Sequence, residues 1–179
     1  MTTAHPPAYI PGEICLNVGL DASASPDECM ALLRADVAAD GVSAPAADVP
    51  ALREVVQQAA GDGIDLKIVV VARNPGMDTA LRDVATVVGA DTPDSTVLVL
   101  SPSFVGSYSG RFHRAKLEAG EDVAKTGDPV VSAHNFVDEL NTPDLPWTGL
   151  TIGLLLVVAG AIAGLRILRR SSKPQHLLD

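Results

Sequence analysis

The segment WTGLTIGLLLVVAGAIAGL, Trp147–Leu165, runs for nineteen residues without a charge. At about 1.5 Å per residue a helix of that length is about 28 Å long, close to the ~30 Å hydrocarbon core of a bilayer. Ile167 and Leu168 lengthen the span while Arg166 snorkels back to the interface. Hydroxyls occur only at Thr148 and Thr151, so the helix has no polar stripe to turn toward water. Gly153, Gly160 and Gly164 are ordinary residues in a membrane helix and costly ones inside a soluble helix. Trp147 stands at one interface and Arg166, Arg169 and Arg170 at the other. The sequence therefore predicts a transmembrane helix over residues 147–168, with the lipid bilayer as its first partner.

Charge is divided about this segment. Up to Pro146 there are nine Lys and Arg against twenty-one Asp and Glu, and from Arg166 onward four basic residues against Asp179 alone. A body this acidic, with no basic stripe, excludes nucleic acid as its main partner. The positive-inside tendency puts the basic tail in the cytoplasm and the acidic body outside. The opening MTTAHPPAYIPGEICLNVG has neither a basic start nor an apolar run, so no signal peptide is read there. Export without one tells against that orientation; the charge pattern favours it, and both remain open at this point. Gly160 and Gly164 form a GxxxG pair that could seat a second copy of the helix, although small residues in a lone span are commoner.

The body reads as alternating strands and helices. ICLNV, Ile14–Val18, has the composition of a short strand. SPDECMALLRADVAAD follows as a helix, with Ser25 and Glu28 placed for a capping box, Pro26 at its first position and Gly41 as its stop. VSAPAAD is a turn-rich connector to a second helix beginning near Asp48, with Pro50 in its first turn. LKIVVVAR is a β-branched run of the kind covered on both faces, MDTALRDVATVVG a third amphipathic helix, and TVLVLSP a second central strand. FVGSYSGR reads as a hairpin arm or irregular edge strand, and helices follow over Phe112–Ala124 and Val130–Leu140. This order predicts an α/β class, a layered sandwich with a real core. Residues 1–12 are an irregular lead-in, 13–141 the α/β domain, 142–146 a short linker and 169–179 a basic tail.

Chemistry is sparsely signalled. Cys15 and Cys29 are too few for a disulfide scaffold and lack metal spacing, so burial as small hydrophobes is the favoured reading; one bridge stays open if the domain lies outside the cytoplasm. His5, His113, His134 and His176 are scattered, and no phosphate loop, HExxH or nucleophile elbow is present. Asp62 and Asp65 precede one central strand, and Asp91 and Asp94 the other. If those strands run parallel, the pairs share an end of the sheet and could hold Ca²⁺ or Mg²⁺, although turn and cap chemistry is the favoured reading of them. The polar stretch SPSFVGSYSGRFHR follows a central strand, where α/β domains place ligand sites. It offers Ser101, Ser103, Tyr108, Arg111 and His113 as an interaction surface.

The order of a capped helix, a second helix, KIVVVA, another helix, then STVLVLSP with a glycine-bearing hairpin and a helix resembles the TPM domain over Ile14–Val123. That resemblance implies a three-layer α/β/α sandwich, commonly tethered by one membrane helix. It also brings phosphatase activity or divalent-metal binding into view. Where TPM relatives carry acidic and basic residues after the strand, this chain reads SFVGSYSG, so no catalytic residue is carried over. The whole layout resembles a family of uncharacterised small actinobacterial single-pass membrane proteins encoded near NlpC/P60-type cell-wall endopeptidases. That likeness implies a role in the envelope, with a cell-wall hydrolase as the kind of protein partner. The reading is a membrane-anchored interaction or assembly module with no catalytic residue of its own, the alternative being an anchored metal-dependent, phosphatase-like hydrolase.

The membrane span is directly testable. Full-length protein should stay in the membrane pellet through high salt and alkaline carbonate and leave it only with detergent; release without detergent would exclude a lipid-embedded helix.

Overall fold

The structure is a computed structural model, and it describes residues 9–143 and 147–171. Most of the lead-in, residues 144–146 of the linker and residues 172–179 of the tail lie outside the described residues, as do His5 and His176. The chain divides into two compact units, residues 1–142 and 143–179.

The first unit contains α1 (Ile14–Asn17), α2 (Pro26–Asp40), β1 (Val42–Ser43), α3 (Val49–Gly61), β2 (Leu66–Val70), α4 (Thr79–Gly89), β3 (Thr96–Leu100), β4 (Val105–Ser109), α5 (Arg114–Val123) and α6 (Pro129–Asn141). The strands form one sheet in the order β1-β2-β3-β4. β1 and β2 run parallel, as do β2 and β3 with Leu66 opposite Thr96; β4 returns antiparallel, with Leu100 opposite Val105.

The pleat sends alternate residues of β2 and β3 to opposite faces, and each face is apolar. Leu66, Ile68, Val70, Leu98 and Leu100 meet α3, α5 and α6. Val69, Val71, Val97 and Val99 meet α1, α2 and α4. The domain is thus a three-layer α/β/α sandwich, the arrangement that the TPM resemblance implied. The strands β2 and β3 and the helices α2 to α6 stand where the sequence pattern put them.

Four local expectations are corrected. Ile14–Val18 is not a strand: Ile14 and Cys15 are adjacent and both fully buried, which suits a helical turn and defeats strand alternation. The place beside β2 that a first strand would take is filled by Val42–Ser43, inside the segment expected to be only a connector. Ser25 precedes α2 but makes no side-chain cap bond, so the capping box does not form. Leu32, which the spacing of Cys29, Leu32, Leu33 and Val37 places on the apolar face of α2, lies in solvent, and Met30 takes its place in the core. Gly41 ends α2 with φ of 84°, a left-handed conformation that a β-carbon would strain.

The cysteines are not free. Cys15 and Cys29, fourteen residues apart, are joined by a disulfide that ties α1 to α2 beneath the second core.

The topology contains a reversal. The units β1-α3-β2 and β2-α4-β3 each step to the next parallel strand in the same direction across the sheet. Their helices lie on opposite faces. Two such units cannot share a hand, so one crossover is left-handed, against a right-handed preference of about 98%. That rule arises from strand twist, and the two residues of β1 supply little of it.

The second unit contains α7, Trp147–Ser171. Within it Gly149–Ile167 is long and apolar enough to cross a bilayer, and none of that span is buried in protein.

At Gly106 the backbone of α4 lies directly against β4. A β-carbon there would stand 2.5 Å from the Arg82 nitrogen and 2.6 Å from the Leu81 carbonyl carbon. Gly106→Ala should therefore destabilise the full chain in detergent by about 1–3 kcal/mol, as overpacking does. It should lower the denaturant midpoint at constant slope. Gly61→Ala, which meets nothing within 4 Å, is the control expected to show no loss.

Candidate functional site

The reversal of crossovers has a geometric consequence. The chain leaves the carboxyl end of β1 toward one face and that of β2 toward the other, and a crevice opens outside the strand ends. This is where open α/β sheets place their ligands. A cavity of about 240 Å³ lies there. Its floor is Val70–Ala72 and Leu100–Pro102, its sides Pro45 and Asp48 after β1, with Pro129 and Ser132 from α6. The walls are mainly apolar, and the polar groups are few: Asp48, Ser101 and Ser132.

The rim is held by Asn74, in the loop after β2. Its side-chain oxygen accepts from Ser101 Oγ and from the Ser103 backbone N–H, each at 2.9 Å. Ser101 Oγ in turn accepts from the Phe104 N–H at 3.2 Å. These bonds fix the β3–β4 hairpin against the β2 loop. Ser132 Oγ lies 2.7 Å from Thr126 Oγ1.

A second cavity of about 550 Å³ flanks β4 between α4 and α5, lined in part by Asp78, Arg82, Glu118, Glu121, Asp122 and Lys125. Most of these charges are already used. Glu121, nearly buried, accepts from Ser107 Oγ at 2.6 Å and pairs with Arg114 at 3.2 Å. Arg114 also pairs with Glu118 at 2.8 Å. Lys125 donates to Asp122 at 2.8 Å, a bond that holds its ammonium above the ordinary lysine pKa. In the loop between α1 and α2, Asp21 accepts from the Ser23 hydroxyl and backbone N–H, which keeps its carboxyl below the usual aspartate range.

The five residues expected to form one interaction surface are divided by the length of β4. Ser101 and Ser103 stand at the carboxyl edge of the parallel strands. Arg111 and His113 follow Ser109, which pairs with Thr96 at the amino edge, about 17 Å away for five residues of strand. Arg111 donates to the Gly63 carbonyl and lies over the Phe112 ring at 5.4 Å. His113 caps α5, its Nδ1 accepting from the Lys116 N–H at 3.2 Å. Tyr108 packs against the second core beside Gly89.

The four aspartates do share the amino edge of a parallel pair. Three of them have partners: Asp62 accepts from Asn141 at 2.9 Å, Asp65 pairs with Lys67 at 3.0 Å, and Asp91 with Arg34 at 2.9 Å. Among the described residues no three His, Cys, Asp or Glu groups gather as a metal ion would require.

A family model described as Membrane protein Rv1476 matches residues 9–176, sandwich and apolar helix together. The chain belongs to that family. A relative of the same description from Mycobacterium tuberculosis (strain ATCC 25618 / H37Rv) is 59% identical over 143 residues, which cover 80% of this chain and 77% of that one. No solved structure matches. The family is one of actinobacterial membrane proteins, and this member has a single candidate transmembrane helix among its described residues.

Asp48, Asn74 and Ser132 are the crevice residues that the sequence did not single out. Asp48 looked like an ordinary helix cap, and its place at the sheet edge depends on the two-residue β1. Asn74 gives a test of the rim. Asn74→Ala should speed amide exchange at Ser103 and Phe104 by up to about tenfold, the worth of one or two net hydrogen bonds. The global unfolding midpoint should move little; unchanged exchange would show that the hairpin is held by other contacts.

Proposed function

We propose that the chain is a membrane-anchored interaction module whose α/β domain stands outside the cytoplasm and engages a protein of the cell envelope. A cell-wall hydrolase is the partner class that the family layout suggests. The observation that carries the placement is the Cys15–Cys29 disulfide. Structural disulfides persist on oxidising sides of membranes and are rare in the reducing cytosol. The positive-inside pattern of Arg166, Arg169 and Arg170 supports the same orientation independently. The role as an interaction module is supported by the anchor together with a built, mainly apolar crevice at the carboxyl edge. The hydrolase alternative draws on the shared edge of Asp62, Asp65, Asp91 and Asp94, three of which are already committed to Asn141, Lys67 and Arg34.

Thiol chemistry tests the orientation. In intact cells Cys15 and Cys29 should resist alkylation until a reductant is added, and a cytoplasm-only reporter should be silent at the N-terminus and active at the C-terminus. Freely alkylated thiols and the opposite reporter pattern would place the domain inside. Proximity labelling from the N-terminal side should then recover envelope proteins. Turnover of a phosphomonoester that needs added divalent metal, and is lost on changing Asp62 or Asp91, would favour the hydrolase instead.

A further inference from the structure

We propose that the crevice at the carboxyl edge of β1, β2 and β3 binds a primary aliphatic ammonium group on a short apolar stem, with Asp48 as its counter-charge. The inference rests on the interaction-module reading and names the chemistry that one surface of the module would take.

Two aspartates stand at helix starts beside this cavity, and they behave differently. Asp128, before α6, accepts from the N–H groups of Val130 and Val131 at 2.9 Å each. Asp48, before α3, makes no cap bond. An aspartate at this position ordinarily caps its helix, and Asp48 forgoes that bond. Asp48 is half-buried, and among the described residues its side chain meets no cation and accepts no hydrogen bond. It lines a cavity whose other walls include Val70, Leu100, Pro102 and Pro129. An unpartnered carboxylate at the edge of an apolar cavity gains a charge-assisted hydrogen bond from an arriving cation.

The rest of the site narrows the ligand. An ammonium carries three donors, and the carboxylate and the Ser101 and Ser132 hydroxyls supply acceptors. The aliphatic walls suit a methylene stem. A guanidinium would spend its planar fork on the Asp48 carboxylate and turn its remaining N–H groups toward proline and aliphatic walls, whereas a compact ammonium can aim its three donors at the few oxygens present. A hard divalent cation needs six or more oxygen ligands, and one carboxylate with two hydroxyls falls short. An anion would meet Asp48. The same ammonium could come from a lysine side chain of a partner polypeptide or from a free small amine.

The test uses the isotope-labelled full chain in detergent micelles. n-Butylammonium is titrated beside the neutral 1-pentanol and beside Nα-acetyl-lysine N-methylamide. Saturable shifts are expected at Asp48, Ala72, Ser101 and Ser132. Pentanol should bind at least about tenfold more weakly, and Asp48→Asn should weaken butylammonium by about tenfold, the scale of one charge-assisted bond. The Asn variant should keep its melting midpoint; if it does not, the butylammonium–pentanol comparison on the unmodified chain still decides. Comparable binding of the lysine amide and butylammonium assigns a polypeptide source, and binding of butylammonium alone a free amine. No saturable shift, equal affinity for pentanol, or full affinity in a folded Asp48→Asn chain overturns the proposal. None of these results bears on the disulfide or reporter outcomes, so the two readings fail separately.

Discussion

The parallel pairing of β2 with β3 is the constraint from which the rest of the domain follows. Apart from Lys67 and Thr96 both strands are apolar on both faces, so the pair is unstable until each face is covered. Two separate cores result, one beneath α3, α5 and α6 and the other beneath α1, α2 and α4. Burying a single Leu or Val contributes about 1.5–3 kcal/mol. Leu81, Val84 and Val88 of α4 alone therefore account for about 5–9 kcal/mol, against a net domain stability of about 5–15 kcal/mol. Neither helical layer is dispensable. The disulfide strengthens the layer that needs it most, since α1 is only four residues long and forms no stable helix by itself.

The two sheet edges are handled by different chemistry. β1 is two residues long and presents little to pair with. β4 has five residues, and its antiparallel register turns the N–H and C=O groups of Val105, Ser107 and Ser109 away from β3. At the middle of that edge Arg114 donates to the Ser107 carbonyl at 3.4 Å while pairing with Glu118 and Glu121. Glu121 would be costly to bury alone, but the Ser107 hydroxyl and the Arg114 guanidinium satisfy both its oxygens. The polar face of β4, which in sequence suggested a binding loop, is largely occupied in closing the sheet edge.

What the sequence conveys and what it conceals follow the same physics. LKIVVV and TVLVL are legible because burial on both faces demands a nearly continuous apolar run, which Lys67 and Thr96 interrupt only near its start. The helices α3 to α6 are legible because a covering helix needs an apolar stripe. Burial shared by neighbours in sequence is less legible: Ile14 and Cys15 have strand-like composition, and only their joint burial reveals a helical turn. Pairing over two residues leaves no period to detect, so β1 and the crevice it helps to form were hidden inside VSAPAAD. The partner of a cysteine depends on distant geometry, and the spacing of Cys15 and Cys29 suits a core pair as well as a bridge. The division of Ser101 and Ser103 from Arg111 and His113 follows from FVGSYSGR forming a regular hairpin strand, the first of the two readings its sequence allowed.

The apolar helix obeys a rule opposite to that of the sandwich. Every helix of the domain longer than one turn keeps a polar side, because each covers one face and meets water on the other. From Gly149 to Ile167 no such side exists, and Leu154, Leu155 and Leu156 are each more than three-fifths exposed within the chain. Water would penalise that surface at every turn, whereas hydrocarbon accepts it and requires only that backbone groups be bonded internally, which a helix accomplishes. The charge division acts in the same sense. Twenty-one acidic residues precede the span and four basic residues follow Leu165. Anionic headgroups attract the second group and repel the first.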